Sequence, residues 1–89
     1  MYTQFVTVRN QLGLHTRVCS QLVACASQYE SRVTLTYQGR CVDAKRIVEL
    51  MSLGAAFGAL VRICVEGPDE KMAFSSIFDL FNQGFGEVS

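Results

Sequence analysis

The stretch GLHTR (residues 13–17) contains the single histidine of this 89-residue chain, and an arginine follows it two positions later. Neutral imidazole is a nucleophile, and the forked guanidinium of arginine suits the oxygens of a phosphate. His15 or Thr16 is expected to be the N-cap of a helix, where free backbone N–H groups attract anions. The pattern therefore predicts that His15 itself takes up a phosphoryl group, supported by Arg17 and by the backbone amides of Thr16, Arg17 and Val18.

A capping or surface role is the ordinary alternative for a lone histidine at the start of a helix. No carboxylate or second histidine lies near His15 in sequence to complete a catalytic triad, and the chain has no glycine-rich nucleotide loop. The chemistry that remains is covalent modification of His15, with no pocket for a small substrate and no cofactor.

Four cysteines could form a metal site or two disulfides. Their spacing contains no CxxC pair and offers one histidine at most, so no zinc pattern fits and we expect no metal. Each lies in a segment with strand or helix periodicity, which is typical of reduced thiols in a cytosolic protein. The four are Cys19, Cys25, Cys41 and Cys64.

Charge and hydropathy exclude several classes of protein. Eight basic and eight acidic side chains cancel, whereas a nucleic-acid-binding surface needs a basic excess. No apolar run is long enough to span a membrane, and the N-terminus lacks the pattern of a secretory signal. We expect a single cytoplasmic domain over residues 1–89, without membrane insertion and monomeric by default.

Hydrophobic periodicity predicts the order β-α-β-β-α-β-α. Alternation indicates strands over residues 2–8, 32–37, 40–43 and 60–66, and each strand has one apolar face. Three amphipathic helices can cover only one side of such a sheet, which predicts an α+β open-faced sandwich with a four-stranded antiparallel sheet. The fourth strand is expected to enter the gap left by the first β-α-β unit.

The helices and the inward side chains follow from the same patterns. Helices are expected over residues 16–29 and 46–53 and after the Gly67-Pro68 pair, with proline suited to a first helical turn. Tyr2, Val6 and Val8 are expected to face the core from the first strand. The last helix is expected to bury Ala73, Ile77, Leu80 and Phe81.

Three motifs carry a resemblance to a known family: GLHTR (13–17), AKRIVELMSLG (44–54) and GPDEKMA (67–73). With the predicted topology, they make the sequence similar from end to end to HPr, the histidine-containing phosphocarrier of the phosphoenolpyruvate phosphotransferase system. The resemblance implies a phosphoryl group on Nδ1 of His15, with Arg17 supporting the transfer. It also implies Enzyme I as donor, an EIIA-type protein as acceptor, and a stoichiometric carrier that is not itself an enzyme.

Three positions depart from the family pattern. Val18 replaces a proline that would pre-set the first helical turn, so a looser site is expected. Cys19 replaces an alanine, and we expect it to pack beneath the helix. Arg46 replaces a serine that a dedicated kinase phosphorylates in some bacteria, so that switch cannot operate here. Because arginine is a poor N-cap, the second helix is expected to start from Asp43.

The second helix carries a prediction about partners. In the family, the positions of Ile47, Val48 and Met51 form an exposed docking patch near the active histidine, and Arg46 would lie at its rim. Leu50 and Leu53 are expected to face the sheet instead. Core packing of the whole helix is the alternative.

Two questions of function stay open at this point. The protein either delivers the phosphoryl group or acts mainly as a regulatory module that binds partners according to its phosphorylation state. As a carrier, the protein serves either sugar permeases or a nitrogen-related cascade. The segments GPDE and DLFNQGFGE resemble the carriers of the nitrogen branch more closely. An RNA-binding split β-α-β domain is disfavoured by the neutral charge and the lack of paired aromatic residues.

Overall fold

The alternating segments form four strands in the computed structural model, which describes residues 1–87. They are β1 (Tyr2–Thr7), β2 (Arg32–Tyr37), β3 (Arg40–Asp43) and β4 (Leu60–Glu66). All neighbouring strands are antiparallel and lie in the order β1-β4-β2-β3. The last strand therefore enters between β1 and β2, as predicted for a split β-α-β arrangement.

Three helices cover one face of this sheet, which confirms the expected open-faced α+β fold. They are α1 (Thr16–Ala26), α2 (Ile47–Met51) and α3 (Glu70–Asn82), and a 3₁₀ turn over Gly84–Gly86 follows them. Alternate side chains of the central strands meet the apolar faces of the helices in one hydrophobic core. Its largest fully buried members are Leu22, Leu35, Leu50, Ile63, Ile77 and Phe81.

The ends of several elements differ from the prediction. Strand β1 stops at Thr7, and α2 covers only five residues. Helix α1 ends at Ala26 because the amides of Gln28 and Tyr29 bond to carbonyls three residues back, at 3.2 Å each. Such bonds tighten the last turn, and periodicity alone does not reveal them.

Three expectations about the β1 and α3 side chains need correction. Tyr2 stays 37% exposed because β1 is an edge strand, and its ring stacks on Phe74 with centroids 5.4 Å apart. Leu80 is only partly buried. Helix α3 begins at Glu70 with Asp69 as N-cap, so Pro68 precedes the helix and does not occupy its first turn.

Asp69 ties the start of α3 to the segment between α1 and β2. Its carboxylate accepts hydrogen bonds from the Ser31 hydroxyl, from the Glu30 amide at 3.0 Å and from the Ser31 amide at 2.9 Å. The hydrogen bond from the Ser31 side chain and those from the two backbone amides lower the pKa of Asp69. Gly67 fits this contact because a Cβ there would lie 2.6 Å from Ser31 Cα.

No helix within residues 1–87 is long and apolar enough to cross a membrane.

Candidate functional site

His15 stands at the N-cap of α1, one of the two positions predicted. Its backbone is extended, and its side chain makes no capping hydrogen bond. The first amide to bond backward is that of Cys19, which donates to the His15 carbonyl at 2.9 Å. The amides of Thr16, Arg17 and Val18 therefore lack a backbone acceptor within residues 1–87, and they form the anion-binding end of the helix.

The loop before His15 is fixed by a close approach to a second loop. Leu14 donates its amide to the Ala55 carbonyl at 3.0 Å. Gly13 has a φ of +69°, and a Cβ at this position would lie 2.7 Å from the Ala55 oxygen. Only glycine combines this conformation with this contact, so Gly13 sets where the histidine leaves the loop.

Glu87 brings a carboxylate to the histidine from the far end of the chain. Its Oε2 lies 2.8 Å from Nε2 of His15 and 2.7 Å from Nη2 of Arg17. Its Oε1 accepts a hydrogen bond from Nδ2 of Asn10 at 3.1 Å. The Glu87 side chain is 12% exposed, that of His15 28% and that of Arg17 65%.

The contacts of Glu87 favour the ionised form of its carboxylate. Burial by itself raises the pKa of Glu87, but the hydrogen bonds from His15 and Arg17 outweigh it and hold that pKa below its usual value. An ionised carboxylate only accepts hydrogen bonds, so Nε2 of His15 is the donor. In a neutral ring the other nitrogen, Nδ1, then carries the lone pair. No hydrogen-bond partner of Nδ1 lies within the part of the chain that the structure describes.

Asn10 is a buried side chain that links Glu87 to the loop before His15. The residue is only 1% exposed, and its Nδ2 also donates to the Gly13 carbonyl at 2.5 Å. Its Oδ1 is buried without a partner among residues 1–87. Turning the amide over would point that oxygen at two other acceptors, so the observed orientation is the favourable one.

Sequence reasoning missed both Asn10 and Glu87. For Asn10, an asparagine three residues before a glycine is a usable signal of side-chain bonding to the backbone. For Glu87 the chain offers no such signal, because it lies 72 residues from His15. The absence of a nearby carboxylate in sequence did not mean its absence in space.

The two unusual residues of the first helical turn are both in the core. Val18 and Cys19 are fully buried, and the Cys19 thiol points to the Leu14 carbonyl with a sulfur–oxygen distance of 3.5 Å. Burial raises the pKa of the Cys19 thiol. The expected packing of Cys19 beneath the helix is confirmed, and such a thiol is a poor nucleophile.

All four cysteines are free. Within residues 1–87, no three His, Cys, Asp or Glu side chains come close enough to hold a metal ion.

The predicted docking residues lie on the exposed side of α2. Val48 is 78% and Met51 45% exposed, and Ile47 is partly buried against the core. Leu50 and Leu53 are buried as expected. The alternative of core packing for the whole helix is therefore wrong.

Arg46 occupies the N-cap of α2, which corrects the expected start from Asp43. Its side chain makes no capping hydrogen bond. Its Nε lies 3.9 Å from Asp43 and 3.7 Å from Glu49, and the Arg46 side chain is 71% exposed. Asp43 shapes the preceding turn, where its Oδ1 accepts the Lys45 amide at 2.8 Å.

Comparison with known proteins identifies the family. A family model described as the PTS HPr component phosphorylation site matches residues 2–83. The phosphocarrier protein HPr of Xylella fastidiosa is 40% identical over 82 residues, which are 92% of each chain. The crystal structure of HPr from Thermoanaerobacter tengcongensis superposes with a TM-score of 0.96 at 34% identity and covers all of both chains.

A second crystal structure from T. tengcongensis is described as an HPr dimer. It is 34% identical, covers 98% of this chain and all of its own, and has a TM-score of 0.78. The matches extend over nearly the whole sequence, the motifs and the topology, and they agree with one another. The chain belongs to the HPr family of phosphocarrier proteins of the phosphotransferase system.

Proposed function

We propose that this protein accepts a phosphoryl group on Nδ1 of His15 from phosphorylated Enzyme I and passes it to an EIIA-type protein. The observation that carries the proposal is the contact between Glu87 and Nε2 of His15, at 2.8 Å. It keeps the ring proton on Nε2 and leaves the Nδ1 lone pair free for attack.

The transfer step balances without a cofactor. The Nδ1 lone pair forms a bond to phosphorus while the bond between phosphorus and the donor's leaving atom breaks and returns its electron pair to the donor. The phosphorylated ring keeps its Nε2 proton and carries a positive charge beside the Glu87 carboxylate. Passing the group onward is the same displacement, in which an acceptor nucleophile replaces Nδ1.

Arg17 and the helix amides would stabilise the phosphoryl oxygens during transfer. Arg17 is 65% exposed and bonds only to Glu87 within residues 1–87, so it can turn toward an incoming phosphoryl group. The amides of Thr16 and Val18 add fixed donors at the same helix end. Val18 has a backbone N–H that proline lacks. The valine therefore adds a hydrogen-bond donor to the first turn of α1, and this turn loses the rigidity that proline would give it.

The exposed side of α2 would form part of the surface that donor and acceptor share. Val48 and Met51 present apolar area, Ile47 supports them from the core, and Arg46 borders them with a positive charge. A small apolar patch with a charged rim suits brief contacts with successive partners.

The proposal covers a stoichiometric, cytoplasmic carrier made of one domain. We still expect a monomer. Because one relative is described as a dimer, the oligomeric state should be measured. The choice between the sugar and the nitrogen branch stays a prediction that leans toward the nitrogen branch. It is tested by offering the phosphorylated protein to an EIIA-type acceptor of each branch and comparing the rates.

The test of the main proposal is incubation with Enzyme I, magnesium and phosphoenolpyruvate, followed by intact-mass and acid-lability analysis. One acid-labile phosphoryl group is expected in the wild type and none in His15→Ala. Lys71→Ala, an exposed change on α3, is the matched control and should be phosphorylated like the wild type. Circular dichroism of His15→Ala must show an intact fold for the comparison to count.

Failure of the wild type to accept the group, with an Enzyme I active on another carrier, would contradict the proposal. The result would favour the alternative that the protein is a regulatory module that binds partner proteins. It is favoured specifically if His15→Glu binds a partner protein with an affinity different from that of the wild type, although no group can be transferred.

A further inference from the structure

The two free edges of the sheet are protected very differently. Strand β3 has four residues, two of them charged, and Arg40 at its start bonds to the carbonyl and hydroxyl of Ser52 at 2.8 and 2.9 Å. The Asp43 amide on the same edge donates to Oε1 of Glu49 at 3.1 Å. Short length, charge and a covered amide are the usual means of preventing another strand from pairing with an edge.

Strand β1 has none of these protections. Its six residues, YTQFVT, contain no charge, proline or glycine. The Val8 amide, two residues beyond Val6, donates inward to the Ala59 carbonyl at 2.9 Å. Because hydrogen-bonding direction alternates along a strand, the backbone groups of Thr3, Phe5 and Thr7 point to the open edge. No acceptor for these amides lies within residues 1–87.

Both ends of this open edge are fastened to α3. The Met1 amino group lies 2.6 Å from Oε2 of Glu70, and Nη1 of Arg9 donates to the Asn82 carbonyl at 3.2 Å. The strand is therefore held extended before any partner arrives. A prearranged edge loses less entropy when a further strand is added.

A groove with an apolar wall runs beside the edge. Residues of β1, Arg9 and the α3 side chains Phe78 and Asn82 line it. Phe78 belongs to a stack of three rings with Phe74 and Tyr2, whose centroids are 5.5 and 5.4 Å apart, and this stack continues from the groove toward the start of the strand. On the opposite face of the strand, Phe5 is 55% exposed. Side chains of an added strand would thus meet aromatic surface on both faces.

We propose that β1 binds an extended segment of a partner protein, which adds to the sheet as an antiparallel fifth strand. Its alternate apolar side chains would lie on the stack of Tyr2, Phe74 and Phe78, and an acidic residue near its N-terminal end would meet Arg9. Arg9 is the only charged residue that lines the described part of the groove. This mode of recognition combines backbone hydrogen bonds with pockets for every second side chain.

The charge of Arg9 distinguishes this partner from a second copy of the chain. Residues 1–10, MYTQFVTVRN, contain no acidic residue, so β1 of another copy would bring no carboxylate to Arg9. An acidic, extended segment satisfies the backbone edge, the aromatic wall and the positive charge together.

The experiment uses the peptide acetyl-Asp-Val-Thr-Val-Thr-Val-Thr-amide and the ¹⁵N-labelled full chain. Aligned with its aspartate opposite Arg9, the peptide directs its valines to the aromatic wall. Hydrogen exchange of the Thr3, Phe5 and Thr7 amides is expected to slow about tenfold at roughly 90% occupancy, since only the free fraction exchanges. The Cys41 amide, on the protected edge, should be unchanged.

Two controls separate edge pairing from other contacts. The same peptide with N-methyl groups on the amides that face β1 is expected to give no protection, because it cannot form the ladder. In Arg9→Gln the peptide should bind about two- to fivefold more weakly, as for an exposed ion pair, whereas a peptide with asparagine for aspartate should bind both proteins equally.

Three results would overturn the proposal. The first is a lack of protection at Thr3, Phe5 and Thr7 at millimolar peptide. The second is equal protection by the N-methylated peptide. The third is protection of these amides that rises with protein concentration alone, which would assign the edge to a second copy.

Discussion

Helices α1 and α2 both begin without a side-chain cap, and they differ in where the neighbouring carboxylates come from. Each helix begins after a basic or ionisable N-cap, His15 or Arg46, whose side chain makes no capping hydrogen bond. At α2 the carboxylates are local, since Asp43 and Glu49 each lie three residues from Arg46. At α1 the carboxylate is Glu87, which is 72 residues away.

The difference bears on the roles proposed for the two helices. A local ion pair between exposed side chains is loose and adds little to stability. A carboxylate delivered by the fold is partly buried, contacts both His15 and Arg17, and orients one ring nitrogen. Helix α1 also packs against the core through four buried residues along its length, whereas α2 does so through Leu50 alone. We infer that α1 sets the chemistry and that α2 provides surface.

The largest expected effect concerns the dependence of α2 on one side chain. Leu50→Ala should lower the free energy of unfolding by about 2–5 kcal/mol, because it leaves a cavity beneath a helix with no other fully buried residue. Urea denaturation measures it. Val48→Ala, at a 78% exposed position of the same helix, is the control and should change stability by less than about 0.5 kcal/mol. Equal effects would contradict the role given to Leu50.

The next effect tests the chemical role of the α1 end. Arg17→Gln should slow phosphoryl transfer from Enzyme I about 100-fold, as for the loss of one oriented donor to a developing charge. Arg46→Gln, the matching change at α2, should raise the half-saturating concentration more than it lowers the maximal rate. Rapid-quench kinetics over a range of protein concentrations separates the two. A similar loss of maximal rate in both variants would remove the proposed distinction.

A smaller effect follows from the lowered pKa of Glu87. A carboxylate whose pKa is lower in the folded state stabilises the fold above its ordinary pKa, and this contribution disappears as the pH falls through the lowered value. Between pH 5 and pH 3, Glu87→Gln should therefore lose less stability than the wild type. Urea midpoints across this range provide the measurement.

The control for the pH experiment is Glu30→Gln, whose exposed carboxylate makes no ion pair within residues 1–87. It should follow the wild type, and Asp69 contributes equally to both proteins. If Glu87→Gln and the wild type lost stability in parallel on acidification, the contact of Glu87 with His15 and Arg17 would not persist in solution.

The smallest expected effect lies at the start of α2. Arg46→Gln should change the free energy of unfolding by no more than about 0.5 kcal/mol, because the two ion pairs of Arg46 are long and exposed and glutamine, unlike serine, is not a favoured N-cap. Thermal and urea denaturation suffice to measure it. A loss above about 1 kcal/mol would mean that the local ion pairs matter as much as the distant one at α1.

Much of the fold could be predicted from local patterns. Alternation in residues 32–37 and 60–66 marked β2 and β4 with their bounds, because each strand has one buried and one open face. The interruption of helical periodicity at the ends of α1 and α2 was harder to predict. The last turns tighten or fray according to individual hydrogen bonds, such as that of the Tyr29 amide.

The residues of the candidate site were predicted by two different routes. His15, Arg17 and the helix amides were identified from the sequence because they lie within four residues of one another at a helix start. The exposed side of α2, with Val48 and Met51, was assigned through the family resemblance, and the burial of Leu50 and Leu53 agrees with it.

The sequence by itself determined the order of elements, the inward face of each strand and the position of His15 at the start of a helix, since these depend on residues that are close along the chain. Tertiary structure alone decided that Glu87 meets His15 and Arg17, that Asn10 is buried beneath them, and that β1 has an open edge while β3 is covered. Those features depend on where distant segments arrive after the strands pair. The hydrophobic effect that drives the packing is non-directional and leaves no local pattern of such meetings.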